Sequence, residues 1–109
     1  MKTTTDHKAT PVVLRVWKDK SGGVFALFPT LPSDEYGHYC DSYDSACGHS
    51  GADYWGCIKA TRQATPEESA DLLTELRRHG YRPCVVTKAS SFMHKMRVEE
   101  AKRLRYEDS

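Results

Sequence analysis

Thr65-Pro66-Glu67-Glu68 reads as a helix start, and it constrains the fold more than any other feature of the chain. The threonine hydroxyl can accept from a free amide of the first turn. Proline at the first helical position gives up a donor that has no partner there, and the glutamate can reach back to the cap. Ser69, Leu72, Leu73, Leu76 and Gly80 follow at helical spacing, which makes one face fit to pack on a sheet. Glu67, Glu68 and Asp71 sit near the positive end of the helix dipole, Arg77, Arg78 and His79 near the negative end, and Gly80 is the natural stop.

Short apolar runs supply the sheet. Residues 12–17 alternate Val12, Leu14 and Val16 with Val13, Arg15 and Trp17, which predicts a first strand. Gly22 and Gly23 in a turn over 18–23 allow residues 24–28 to return beside it as a hairpin. Pro29 and Pro32 are expected to stop that second strand, since neither donates to a ladder. Residues 39–43 and 54–60 are expected to be short strands, with Gly48, Ser50 and Gly51 forming the bend between them, and 84–87 a last strand. Residues 91–106 predict a final helix of poor amphipathicity. Phe92, Met93, Met96 and Leu104 share an arc that Glu100 and Arg103 interrupt, so this helix is expected to dock lightly or to project. The fold class is α+β: a small antiparallel sheet, one packed helix and a more independent basic C-terminal helix. At 109 residues the length suits one domain over 11–109, with 1–10 as a flexible polar arm.

Charge is uneven although the net value is only +1. From Ser21 to Ile58 the acids Asp34, Glu35, Asp41, Asp44 and Asp53 meet no lysine or arginine, whereas residues 88–105 carry Lys88, Lys95, Arg97, Lys102, Arg103 and Arg105. The first residues lack the apolar core of a secretory signal, and no run is long enough for a membrane span. A cytoplasmic protein is therefore expected, with Cys40, Cys47, Cys57 and Cys84 as reduced thiols. Their even number would permit disulfides in an oxidising compartment.

Residues 36–58 concentrate the unusual side chains, with three of the four cysteines and four of the six tyrosines. His38, Cys40, Cys47, His49 and Cys57 are five candidate zinc ligands, but they lack the close Cys-x-x-Cys pairs of a finger or ribbon. The competing account is small buried thiols and solvated imidazoles. Cys47 with His49 carries no signature of a thiol enzyme, the glycines form neither a Walker loop nor a dinucleotide fingerprint, and nothing selects two of the acids as a glycosidase pair. A non-enzymatic binding surface accounts better for Tyr36, Tyr39, Asp41, Tyr43, Asp44, Asp53, Tyr54 and Trp55. Aromatic anchors with interleaved acids complement a basic groove that normally holds phosphates. Against this stands the plain reading of tyrosines covering a sheet edge beside solvated acids. Lys95, Lys102, Arg103 and Arg105 offer a nucleic-acid surface as an alternative, although Glu99 and Glu100 among them favour a solvated face over direct nucleic-acid binding.

The runs Val24-Phe25-Ala26-Leu27-Phe28-Pro29, Gly37-His38-Tyr39-Cys40-Asp41-Ser42-Tyr43, Gly48-His49-Ser50-Gly51-Ala52-Asp53-Tyr54 and Thr61-Arg62-Gln63-Ala64-Thr65-Pro66-Glu67-Glu68 through Gly80-Tyr81 are specific enough to compare. Over residues 12–87 the chain resembles a family of small proteins of unassigned function encoded on bacterial mobile elements, phages and gut metagenomes. It departs from that pattern at Ser45, Cys47 and Gly48, where the family has histidine, glycine and glutamine. The resemblance brings no catalytic residues with it. It implies a setting shared with anti-CRISPR and other anti-defence proteins, hence an inhibitor that binds a host nuclease, with a type II CRISPR effector as the expected partner. No cofactor is expected on this reading; zinc belongs to the alternative of a metal-stabilised module.

Overall fold

The computed structural model describes residues 9–18 and 23–107. Residues 1–8 of the expected arm, and 19–22 of the expected hairpin turn, lie outside the described residues. The elements in chain order are β1 (Thr10–Trp17), β2 (Val24–Pro32), β3 (Cys40–Asp44), β4 (Gly48–Ala52), α1 (Tyr54–Ala60), β5 (Thr61–Gln63), α2 (Pro66–Arg78), β6 (Pro83–Val86) and α3 (Ser91–Glu107). Six strands form one sheet in the order β4-β3-β2-β1-β5, with β6 also on β1, so the α+β class holds. β5 and β6 share one side of β1: β5 runs antiparallel against Arg15–Trp17, while β6 lies parallel to residues 10–13. Thr10, assigned to the arm from sequence, is instead the first residue of β1 and pairs with Pro83.

Strand alternation splits the core between the two faces. Val12, Leu14, Ala26, Phe28 and Tyr43 face α2 and meet Leu72 and Leu76, whereas Val13, Phe25, Leu27 and Cys40 face Tyr54 of α1 and Ala89. α2 starts with the anticipated capping box: the Thr65 hydroxyl accepts from the Glu68 amide, and the Glu68 carboxylate accepts from the Thr65 amide. Arg62 grips the same carboxylate and, with the cap, holds it down to about 2. The helix ends on Gly80 at φ 95°, a left-handed conformation that glycine takes without a Cβ clash. Leu76 is fully buried, and truncating it to alanine should cost about 3 kcal/mol.

Three expectations about the middle of the chain are overturned. β2 does not stop at Pro29 but continues to Pro32, because the pairing with β3 shifts register after Phe28, Pro29 sits where the ladder is interrupted, and pairing resumes with Pro32 opposite Cys40. Residues 54–60 form a helix, not a strand: Tyr54, Cys57 and Ile58 are spaced i, i+3, i+4 and turn to the core, while Trp55, Gly56 and Lys59 turn out. Arg15 closes its C-terminal end, donating to the carbonyls of Ile58 and Thr61 and to the Thr61 hydroxyl. Gly48–Ala52, read as a bend, is strand β4; its backbone pairs along the whole of β3, and this tertiary pairing outweighs the weak strand preference of Gly-His-Ser-Gly-Ala.

Candidate functional site

The C-terminal helix is docked, contrary to expectation, and it is docked by polar residues. Arg97, only 6% exposed, donates from Nε to the Gly37 carbonyl at 2.9 Å. Its Nη1 donates to the Pro29 carbonyl at 2.7 Å and to His94 Nδ1 at 2.8 Å. Met93, His94, Arg97, Ala101 and Arg105 form the inner face. The loop beneath is shaped to receive them. Asp34 accepts from the amides of Tyr39 and Tyr36, and Gly37 takes φ 77° so close to α3 that a Cβ would lie 3.0 Å from the Arg97 carbonyl and from Val98 Cα. Arg105 donates to the Glu35 carbonyl and covers the Tyr36 ring with its guanidinium 4.6 Å from the centroid.

With polar residues inside, the large apolar ones turn outward. Phe92 is 68% exposed, and Met96, Val98, Leu104 and Tyr106 are exposed too. The arc of Phe92, Met93, Met96 and Leu104 is therefore not the packing face; of these only Met93 turns substantially inward. Trp55 borders the helix near its start and is 61% exposed, yet held: it stacks on His94 at 5.2 Å and meets Tyr54 edge-on at 5.1 Å. Tyr36, 54% exposed, borders it near its end. From His94 to Arg105 the helix rises roughly 16 Å, so a strip of outward side chains is framed by two fixed rings.

On the opposite face of the sheet lies a polar cluster. Asp41 Oδ2 and His49 Nδ1 are 2.9 Å apart, and His49 Nε2 is 3.3 Å from the Tyr81 hydroxyl. Beside them the Tyr43 hydroxyl donates to Glu75 and contacts His79 Nε2 at 3.2 Å, while Ser45 donates to the other Glu75 oxygen at 2.9 Å. The hydrogen bond to Glu75, then burial, pushes the Tyr43 phenol up; the same bond and that from Ser45 pull the Glu75 carboxyl down.

The residues singled out from sequence are divided between these places. Of the aromatic and acidic set, Tyr36, Tyr39 and Trp55 are exposed, but Tyr43 and Tyr54 are core residues, and the Tyr54 hydroxyl accepts from the Ala89 amide at 2.7 Å. Asp44 accepts from the amides of Ala46 and Cys47 and so shapes the β3–β4 turn, Asp41 is committed to His49, and Asp53 stands exposed before α1. The set does not form one continuous loop surface. The five candidate zinc ligands are also separated: Cys40 and Cys57 lie on the α1 and α3 side, His49 on the α2 side, Cys47 is exposed in a turn, and His38 stacks on Tyr36. Among the described residues no three histidines, cysteines or acids converge to hold a metal. Of the four basic residues, Arg103 is paired with Glu100 and Glu107 and Arg105 is used against the loop, while Lys95 and Lys102 are exposed.

Sequence reasoning missed His94, Arg97, Glu75, His79 and Tyr81. For Arg97 a signal existed, since a helix with poor apolar periodicity has to dock by other means. Glu75 and Tyr81 carried none; they meet β3 and β4 only because α2 returns across the sheet. No helix among the described residues is long and apolar enough to cross a membrane. Comparison with protein-family models, curated proteins and solved structures finds nothing that matches this chain.

Proposed function

We propose that this chain is a small binding module of mobile-element origin that inhibits a host defence nuclease, a type II CRISPR effector in the first instance. Its contact surface on this reading is the outer side of α3 with Trp55 and Tyr36. The observation that carries the proposal is the inverted helix: Arg97 is buried while Phe92 and Met96 are exposed beside a braced tryptophan. Contiguous exposed apolar surface marks interaction sites, and rigid aromatic side chains are the commonest anchors of protein interfaces. Each bordering ring has an exposed acid within two residues, Glu35 beside Tyr36 and Asp53 before Trp55. No lysine or arginine occurs from Gly23 to Ile58. These acidic ends suit a partner groove with a basic rim, the character of a nucleic-acid channel, while exposed Lys95 and Lys102 stand on the helix between them. The resemblance to mobile-element proteins supports the same partner class.

The test is capture of purified CRISPR effectors, with and without guide RNA, by the wild-type chain, by Trp55→Ala and by the double variant Phe92→Ala/Met96→Ala. The tryptophan variant should lose about thirtyfold in affinity, the effect of a hot spot worth about 2 kcal/mol. Failure to bind any effector, or binding indifferent to both variants, would remove the proposal.

A further inference from the structure

A hydroxyl becomes a useful nucleophile when a base removes its proton as the new bond forms, and the base performs best when a third group fixes its tautomer. The Asp41 carboxylate can only accept, so its 2.9 Å contact places the proton of neutral His49 on Nδ1 and leaves Nε2 as an acceptor. The Tyr81 hydroxyl, 3.3 Å away, then donates to Nε2. Asp41 comes from β3, His49 from β4 and Tyr81 from the segment between α2 and β6, so the alignment is a product of the fold and not of local sequence. The rings are braced: Tyr81 stacks on Phe28 at 5.1 Å, and His49 meets Tyr43 edge-on at 4.9 Å.

We propose that Tyr81 is a nucleophile for phosphoryl groups, activated by His49 as general base and oriented by Asp41. Tyr81 also lines a cleft of about 350 Å³, and Arg77 in the same lining is a cation suited to hold the oxygens of an anionic phosphoryl centre. This site faces away from α3 and stands independently of the binding surface proposed above.

Burial, then the nearby Asp41 charge, pushes the Tyr81 phenol up, so the group is protonated at neutral pH. Reactivity consequently comes from proton transfer in the transition state and not from a standing phenolate. In the step itself, Tyr81 Oη bonds to phosphorus, the bond from phosphorus to the leaving oxygen breaks, and the phenol proton passes to His49 Nε2. The imidazolium, held by Asp41, returns that proton to the leaving oxygen or to water. The product is a tyrosyl phosphoester, one per chain.

The experiment uses the full chain and the activated diester bis(p-nitrophenyl) phosphate, reading nitrophenolate release by absorbance and the adduct by peptide mass spectrometry. A burst approaching one equivalent is expected, with the adduct on Tyr81. Tyr81→Phe, which keeps the ring on Phe28, should abolish it. His49→Gln and Asp41→Asn should slow it by about a hundredfold and about tenfold respectively, with circular dichroism unchanged. Absence of a burst, an adduct on exposed Tyr36, Tyr39 or Tyr106 instead, or a burst of wild-type rate in Tyr81→Phe or His49→Gln would overturn the proposal and leave the three residues as a structural cross-link.

Discussion

Arg97 Nη1 donates to the carbonyl of Pro29 at 2.7 Å, joining the middle of α3 to the place where β2 loses its ladder. A proline in a strand removes a donor from the sheet, and the same irregularity leaves a carbonyl seeking a partner. The guanidinium fills that need and, from the same position, takes the Gly37 carbonyl as well. Arg97→Ala strands both acceptors in a buried place and should lower stability by about 3 kcal/mol in urea denaturation. Arg97→Lys should recover part of this, since a single ammonium cannot reproduce the planar fork. A loss within experimental error for Arg97→Ala would show that α3 is held by something else.

His94 makes the docking of α3 sensitive to pH. Arg97 can only donate, so His94 Nδ1 is an acceptor, and the imidazole is neutral between Trp55, Tyr54 and that guanidinium. Burial, then the Arg97 charge, lowers its pKa from the usual 6.5. A proton is thus bound more readily by the unfolded chain. The contribution is complete above about 6.5 and is lost as pH falls below it, at no more than about 1.4 kcal/mol per pH unit. Carboxyls such as Glu75 and Glu100 are held below their ordinary values and begin to matter only nearer pH 4, so the interval between 7.5 and 5.5 excludes them, and the variant at His94 separates that residue from the other histidines. Urea midpoints should fall over that interval, and fall less in His94→Gln, whose amide oxygen accepts from Arg97 but takes no proton. Equal pH dependence in both would assign the effect to another group.

How much of this is legible in the sequence follows from the range of the interactions. The capping box of Thr65 and Glu68 and the stop at Gly80 are local chemistry, and they stand where the sequence puts them. α1 is misread because its seven residues satisfy an apolar pattern that suits strand or helix at that length. β4 is invisible because its partner, β3, supplies what Gly-His-Ser-Gly-Ala lacks. The candidate site is half visible: Trp55 and Tyr36 are exposed, but the acids do not share one surface, since alternation in β3 sends Asp41 and Asp44 to opposite faces. Arg97 looks like one more surface base, because nothing in a sequence marks which arginine meets two spare carbonyls.

The thiols provide a check on the metal alternative. Burial pushes the Cys40 thiol up to about 11, whereas zinc takes a thiolate. Cys40 shares its side of the sheet with Cys57 but not with His49. Treatment with a strong chelator should leave the melting temperature unchanged, and elemental analysis of protein prepared without added metal should find far less than one zinc per chain. Iodoacetamide should modify exposed Cys47 and Cys84 in the native state and reach Cys40 only on unfolding. A chelator-dependent fall in melting temperature, coupled to newly reactive thiols, would restore the metal reading.

The basic residues of α3 separate a protein-binding role from a nucleic-acid one. Arg103 is neutralised by Glu100 and Glu107, and Arg105 is spent on the loop at Glu35 and Tyr36, so the helix presents less free positive charge than its composition suggests. DNA and RNA affinity should therefore be negligible at physiological salt, and substituting Lys95, Lys102 and Arg103 by alanine should change nothing in a titration. Arg105→Ala should act differently. It removes a cation from the Tyr36 ring, an interaction worth about 0.5–1 kcal/mol, and should speed amide exchange across residues 35–39 while α2 is unaffected. Because Tyr36 frames the proposed binding strip, this variant should also weaken partner capture, though less than Trp55→Ala. Measurable DNA affinity that falls on neutralising Lys95, Lys102, Arg103 and Arg105, with the salt slope dropping by about 0.9 for each phosphate deprived of its cation, would move the function from the outward aromatics to the charges between them.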